Sequence, residues 1–173
     1  MIEVATPIIG FSAYSGTGKT TLITQLIPLL RDKQLCLAVI KHAHQGFEID
    51  HPGKDSFELR KADACQVLIS SARRKALITE FDEHQHEPCL GDLIEDLDQS
   101  RLDLILVEGF KREHFAKIEL HRQALGKPYL FPNDPDIIAL ATDHKVTTDL
   151  PVLDINQPQA IADFIYTSVY QTP

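Results

Sequence analysis

The stretch that decides the fold is residues 7–22, which read PIIGFSAYSGTGKTTL. Its first six residues are mostly apolar and predict a buried strand that ends at a turn rich in serine and glycine. Residues 13–20 match the phosphate-loop pattern, with Ala13 in place of the first glycine. Small residues let successive backbone N–H groups surround phosphate oxygens, and a helix that begins there adds the positive end of its dipole. The stretch therefore predicts a nucleoside triphosphate site; the alternative is a glycine turn that caps an ordinary helix.

The side chains of this loop have separate expected roles. We expect Lys19 to place its positive charge against the β- and γ-phosphates and the hydroxyl of Thr20 to ligate Mg²⁺. Gly16 and Gly18 occupy the positions that most need a positive φ. The residues of the loop expected to bind the nucleotide are Ser15, Gly16, Thr17, Gly18, Lys19, Thr20 and Thr21.

The residues after the loop predict a helix and a second strand. Apolar residues recur at helical spacing from Gly18 to about Arg31, and Pro28 inside this pattern predicts a kink or an early end. A second apolar run occupies residues 35–40. Strand, helix and strand in this order predict a parallel sheet with a right-handed crossover.

The rest of the chain continues the same alternation. A polar loop at residues 43–55 is followed by predicted helices at 56–64, 89–97 and 159–170. Further strands are predicted at 66–70, 75–79, 102–107, 116–120, 137–141 and 151–153. We therefore predict one phosphate-loop nucleotide-binding domain over residues 1–173, an α/β fold of three layers with a central, mostly parallel sheet.

Glu108 and Gly109 follow the most apolar of these strands, residues 102–107. Ligands of open α/β sheets bind at the carboxyl ends of the strands. A carboxylate there can hold Mg²⁺ through a water, so we expect Glu108 to serve the metal and the chemistry. We expect Gly109 to let the backbone approach the γ-phosphate. The alternative for Glu108 is a solvated acid at the end of a strand.

Asp50 lies in the polar loop after the second strand. Switch loops of GTPases meet the γ-phosphate from this position, so we expect Asp50 to bind Mg²⁺ or to orient the attacking water. The alternative is a lone surface acid.

Asp143 follows the apolar run at residues 137–141. A carboxylate at this edge of the sheet can accept hydrogen bonds from N1–H and from the 2-amino group of guanine, whereas adenine presents an unprotonated N1. We expect Asp143 to read the base; the alternative is a cap at the end of the strand.

The composition excludes several classes of partner. Lys and Arg total 17 against 25 Asp and Glu, a net charge of −8, which disfavours nucleic acid and anionic membranes because both attract a positive surface. The chain has three widely spaced cysteines, and no apolar run reaches the length that spans a bilayer. We therefore expect a cytoplasmic protein that binds neither nucleic acid nor a membrane.

Four further segments carry a family resemblance, together with the loop. They are IKHAH at 40–44, DHPGKDS at 50–56 with ELRK at 58–61, DLILVEGFK at 103–111 and ATD at 141–143. With these segments the chain resembles the MobB family, the molybdopterin-guanine dinucleotide biosynthesis proteins B, over nearly its whole length.

The resemblance implies a protein that binds GTP with Mg²⁺, hydrolyses GTP weakly and forms a homodimer. It implies a partner, the molybdenum cofactor guanylyltransferase, which joins GMP to molybdopterin. It also makes the segments at residues 41–56 candidates for contact with molybdopterin or with that enzyme.

Two other classes of function stay open at this point. A GTP-driven metal chaperone shares the loop and adds a metal cluster, and only the histidine pairs His42 with His44 and His84 with His86 favour it. A small-molecule kinase needs a base and a lid of arginines, for which the arginines of this chain are too scattered.

Overall fold

The computed structural model describes residues 5–43, 47–81 and 88–171. Its contacts divide the chain into two compact units, one formed by Met1–His42 with Cys89–Pro173 and the other by Ala43–Pro88. Whether the units together act as one domain over residues 1–173 is not decided by this division, so that expectation stays a prediction.

The larger unit contains six strands: β1 Ile8–Ser12, β2 Leu37–Lys41, β5 Leu104–Glu108, β6 Lys117–His121, β7 Ile137–Thr142 and β8 Val152–Asp154. They form one parallel sheet in the order β2-β5-β1-β6-β7-β8. The pairing of Phe11 and Lys41 with Glu108 brings the carboxyl ends of the three strands β1, β2 and β5 side by side. The predicted parallel sheet is confirmed.

The larger unit has three layers because its central strands β1, β5, β6 and β7 are buried on both faces. Leu104 and Leu106 of β5 belong to the core cluster on the side of α1 (Lys19–Asp32) and α4 (Pro158–Ile165). Ile105 and Val107 point the other way, into the cluster that contains α3 (Leu90–Glu95). A continuous apolar run is typical of a strand covered on both faces, and this pattern made β5 easy to predict.

The first predicted helix agrees with the structure, because α1 continues through Pro28 to Asp32. Of the two outcomes expected at Pro28, a kink or an early end, the early end is wrong. A larger difference concerns the last helix. The closing helix does not continue as an α-helix to Tyr170, because α4 ends at Ile165 and a π-helical turn follows at Tyr166–Tyr170.

The smaller unit contains α2 (Asp55–Lys61) and an antiparallel hairpin of β3 (Gln66–Ser70) and β4 (Lys75–Thr79). Both strand ranges agree with the prediction. Val67 and Ile78 are buried, whereas the cross-strand pair Leu68 and Leu77 is 61% and 56% exposed. No helix of the described ranges has the length and apolar character needed to cross a membrane.

Candidate nucleotide-binding site

The phosphate loop connects the end of β1 to the first turn of α1. Gly16 and Gly18 have φ values of 82° and 94°, a region that residues with a side chain rarely adopt. Thr17 is buried, and its hydroxyl donates to the carbonyl of Tyr14 at 2.8 Å, so its side chain holds the shape of the loop. Ala13, which replaces the first glycine of the pattern, is buried in the core. The methyl group of Ala13, which departs from the pattern, therefore lies in the protein core.

The first turn of α1 presents free backbone donors. Its N-cap is Gly18, which has no side chain to accept from the N–H groups of the turn. The first N–H groups of a helix have no partner inside the helix, so they are available to an anion. This end of α1 therefore fits a phosphate group.

Glu108 is the centre of the polar contacts at this edge. The hydroxyl of Thr20 donates to its two carboxylate oxygens at 2.9 and 3.2 Å. The ammonium groups of Lys19 and Lys41 lie 3.9 and 3.7 Å from the same carboxylate. The structure thus brings together three residues that were predicted separately, Lys19, Thr20 and Glu108, while Lys41 adds a further cation.

The oxygens of Thr20 and Glu108 fit a magnesium ion. Two neighbouring ligands of an octahedral Mg²⁺, each bound at 2.0–2.1 Å, lie about 2.9 Å apart. This is the separation between the Thr20 hydroxyl and the nearer Glu108 oxygen. Both residues are therefore placed to hold one ion, directly or through water, and their roles as ligands stay predictions.

Further positive charge surrounds the loop. Burial and the charge of Lys19 lower the pKa of Lys111. The ammonium groups of Lys111 and Lys127 both lie within 6 Å of the Tyr14 ring centre, at 5.8 and 5.9 Å. Although the whole chain is acidic, this edge of the sheet presents a local positive field, which favours a polyanion.

Gly109 meets a constraint that the sequence did not reveal. Its φ is 112°, and a Cβ at this position would lie 2.6 Å from the Cβ of His42. The N–H of His42 donates to the carbonyl of Glu108 at 2.9 Å, and its ring stacks on Phe110 at 4.8 Å between centres. Close packing with β2 thus requires glycine here, independently of the predicted approach of the γ-phosphate, which stays a prediction.

A cavity of about 390 Å³ lies beside the first turns of α1. It is mixed in character, with apolar groups from Leu22 and Ile155 and polar groups from α1 and from the segments that follow β6 and β8. Its lining residues are Gly16, Thr17, Gly18, Thr21, Leu22, Gln25, Arg122, Ile155 and Asn156.

Asp143 lies beside this cavity and does not line it. One of its oxygens accepts from the N–H of Gln123 at 3.0 Å and lies 3.2 Å from a ring nitrogen of His144. The other oxygen is 3.8 Å from a guanidinium nitrogen of Arg122. The N–H of Gln123, together with His144 and Arg122, lowers the pKa of Asp143, so its carboxylate is charged at neutral pH. Asp143 thus acts in part as a cap for the backbone N–H of Gln123. That Asp143 reads the base of a nucleotide stays a prediction.

Asp50 belongs to the smaller unit, where Arg60 engages it. The Arg60 guanidinium bonds to Asp50 at 2.5 Å, to Glu80 at 2.7 Å and to Glu48 at 2.8 Å. Burial raises the pKa of Asp50, but hydrogen bonds from Ser56 and Arg60 outweigh it and leave that pKa below its usual value. The predicted role of Asp50 with Mg²⁺ or water stays a prediction.

The histidine pairs receive little support. His44, His84 and His86 lie outside the described residues, and His42 stacks on Phe110. No group of three or more His, Cys, Asp or Glu side chains able to hold a metal ion occurs among residues 5–43, 47–81 and 88–171.

Sequence reasoning missed Arg122, which touches both the loop and the cavity. Its signal was available, because it directly follows the strand at 117–121 and therefore lies at the carboxyl edge where ligands bind.

The chain is similar to known proteins over most of its length. The profile of the family "Molybdopterin guanine dinucleotide synthesis protein B" matches residues 8–143. The chain is 46% identical over 160 residues to the molybdopterin-guanine dinucleotide biosynthesis adapter protein of Escherichia coli, covering 92% of this chain and 91% of that one. It is 42% identical over 159 residues to the protein of the same name in Haemophilus influenzae, covering 92% and 87%.

Solved structures agree with the fold. A molybdopterin-guanine biosynthesis protein B is 28% identical, with a TM-score of 0.70 over 93% of this chain and 97% of that chain. Bacillus subtilis MobB is 23% identical, with a TM-score of 0.73 over 94% and 98%. The phosphate loop, the parallel sheet and the family match together place this chain in the MobB family.

Proposed function

We propose that this chain is a cytoplasmic, GTP- and Mg²⁺-binding adapter of molybdopterin guanine dinucleotide biosynthesis, which assists the guanylyltransferase that joins GMP to molybdopterin. The adapter role is supported by the names of the relatives from Escherichia coli and Haemophilus influenzae. The nucleotide is supported by one observation above all, the convergence of Lys19 and Thr20 on Glu108 in front of the glycine loop.

The residues of the site would divide the work as follows. The N–H groups of the loop and of the first turn of α1 hold phosphate oxygens, and Lys19 neutralises part of their charge. Thr20 and Glu108 hold Mg²⁺, which supplies charge stabilisation at the phosphates. The Glu108 carboxylate accepts from Thr20 and faces two lysines, so its position is held by contacts within the protein.

We expect slow hydrolysis by the isolated protein, below about one turnover per minute. An arginine finger is worth about 10³–10⁵ in rate, and Arg122 is directed at the loop carbonyl of Thr17. Robust turnover without any partner would contradict this expectation.

Calorimetric titration of GTP in the presence of Mg²⁺ tests the site. Lys19→Ala should abolish measurable binding, because it removes the cation expected to face the phosphates. Thr20→Ala should retain binding and weaken its dependence on Mg²⁺. Arg31→Ala is the matched control, since it removes a charge from the same helix about 18 Å further along.

Two outcomes would overturn the proposal. If Lys19→Ala binds GTP within threefold of the unaltered protein, the phosphate-loop assignment fails. The second outcome comes from co-purification of the guanylyltransferase with the unaltered protein and with Lys19→Ala, each with and without GTP. If both proteins retain the enzyme equally under both conditions, the nucleotide has no role in the adapter function.

A further inference from the structure

Arg122 is fixed between the phosphate loop and the far wall of the cavity. It immediately follows β6, and its Nε donates to the carbonyl of Thr17 at 3.2 Å. Its Nη1 donates to the side-chain oxygen of Asn156 at 3.1 Å and lies 3.8 Å from the carboxylate of Asp143. The hydrogen bonds recorded among the described residues use Nε and Nη1, which leaves the two N–H groups of Nη2 for a ligand.

The cavity that Arg122 lines is placed to receive a nucleoside. Thr21, Leu22 and Gln25 belong to the first two turns of α1, which begin where the phosphates are expected. Ile155, which follows β8, adds an apolar group to the lining. A nucleotide held by the loop would therefore present its base or ribose to this cavity. Arg122 is the only arginine among the lining residues of the cavity.

The neighbouring charges of Arg122 and Asp143 match one purine edge. Guanine has an acceptor, O6, next to a donor, N1–H, so a cationic donor and a carboxylate acceptor side by side complement it. Adenine reverses the order, with a donor at N6 next to an acceptor at N1. An arginine and an aspartate in this arrangement would each face a like group on adenine, and unpaired polar groups in a binding site are costly.

We propose that Arg122 is a specificity-determining residue that donates a hydrogen bond to the 6-keto oxygen of a purine, beside the carboxylate of Asp143. The inference rests on the proposed function, since it needs a nucleotide on the loop. Arg122 discriminates keto from amino purines, whereas Asp143 faces the N1–H and the 2-position. Its bond to Thr17 fixes the guanidinium before the base arrives, which avoids the entropy cost of ordering a long side chain.

Titration with GTP, inosine triphosphate and ATP separates these contributions. Inosine triphosphate keeps O6 and N1–H but lacks the 2-amino group. Arg122→Gln should weaken GTP and inosine triphosphate by the same factor, roughly tenfold to a hundredfold, and leave ATP nearly unchanged. Arg122→Lys keeps a cationic donor and should recover part of the loss. Arg31→Gln removes an equal charge at the far end of α1 and should change none of the three affinities.

The outcomes are distinguishable. If Arg122→Gln weakens all three triphosphates equally, Arg122 only shapes the loop through Thr17, and the inference is wrong. An unchanged ratio of GTP to ATP affinity in both Arg122 variants also overturns it, and Arg122→Lys decides the matter if the glutamine variant does not fold. Failure of the proposed function has a different signature, in which the unaltered protein binds no triphosphate at all.

Discussion

At the scale of single residues, position 109 combines two demands that only glycine meets. Its φ of 112° lies outside the regions open to residues with a side chain, and the Cβ of His42 occupies the space that a new Cβ would take. His42 directly follows β2, and its ring is held by stacking on Phe110. Phe110 also has a positive φ, 51°. The stacking therefore restricts movement of His42 away from a new Cβ. Strained backbone of this kind clusters at functional sites, and here it directly follows Glu108.

We therefore expect Gly109→Ala to lower the free energy of unfolding by about 2–4 kcal/mol, the sum of backbone strain and steric overlap. Gly126→Ala is the matched control. Gly126 also has a positive φ, 58°, but a Cβ there would meet no atom within 4 Å. The control should lose only about 1 kcal/mol. Urea unfolding measures both, and equal losses would show that His42 moves aside without cost.

The residues of the site were predictable where one chemical pattern determines them. Lys19 and Thr20 follow from the loop, and Glu108 follows from its place at the end of an apolar strand. The place of Arg122 directly after β6 could have indicated it, but its contacts with Thr17 and Asn156 join distant parts of the chain, which no local pattern encodes. The constraint on Gly109 is equally non-local, because its neighbour His42 directly follows another strand, β2.

At the scale of elements, α1 passes through a proline at which a kink or an early end was expected. Pro28 lies within Lys19–Asp32, is exposed, and lacks the N–H that would donate to the carbonyl of Thr24. The helix persists because Leu22, Ile23, Leu26 and Leu30 are buried against the sheet. Tertiary packing thus outweighs a local penalty of about 3 kcal/mol, which sequence propensity alone could not weigh.

Pro28→Ala should consequently raise the free energy of unfolding by about 1–3 kcal/mol. The restored hydrogen bond and the lost steric clash outweigh the entropy that the unfolded chain regains, about 0.4–1 kcal/mol. Pro158→Ala is the control, since Pro158 occupies the first position of α4, where proline is tolerated. That variant should be neutral or slightly less stable. A less stable Pro28→Ala protein in chemical denaturation would mean that the proline supports the helix.

The first and last residues of the strands also depend on both local sequence and tertiary contacts. The hairpin strands were predicted to the residue, because the short link at residues 71–74 separates their two apolar runs. Leu102 and Asp103 were predicted to belong to β5, because Leu102 lies two residues before the apolar run that begins at Leu104. In the structure the carboxylate of Asp103 accepts from the N–H of Cys36, and the N–H of Asp103 donates to the carbonyl of Cys36. These hydrogen bonds of Asp103 precede the first residue of β5, and the sequence pattern could not reveal them.

At the scale of the whole molecule, the hairpin leaves an apolar pair without cover among the described residues. Leu68 and Leu77 share the face of the hairpin opposite to the buried Val67 and Ile78. A two-stranded sheet is only marginally stable by itself, and exposed apolar surface of this kind marks a contact site. The other residues on that face are mostly uncharged, so two copies could meet there without repulsion: Gln66, Ser70, Lys75 and Thr79.

The family resemblance implies a homodimer, which stays a prediction for this chain, and we expect such a dimer to depend on this face. The double variant Leu68→Lys with Leu77→Lys should be monomeric in size-exclusion chromatography with light scattering, because it places like charges opposite each other. Leu125→Lys alters an exposed leucine of the larger unit and should leave the mass unchanged. A double variant that keeps the dimeric mass would locate the interface elsewhere.

The strand order β2-β5-β1 also has a consequence for synthesis on the ribosome. The first two strands of the sheet to be made, β1 and β2, never pair with each other, because β5 lies between them and joins Ile8 to Ile105 and Leu37 to Leu104. Neighbouring strands lie about 4.8 Å apart, so a gap of about 10 Å must stay open between them. A nascent chain that ends before residue 104 cannot fill this gap. Its unpaired strand edges are the surfaces that template aggregation, so the centre of the sheet forms only late in translation.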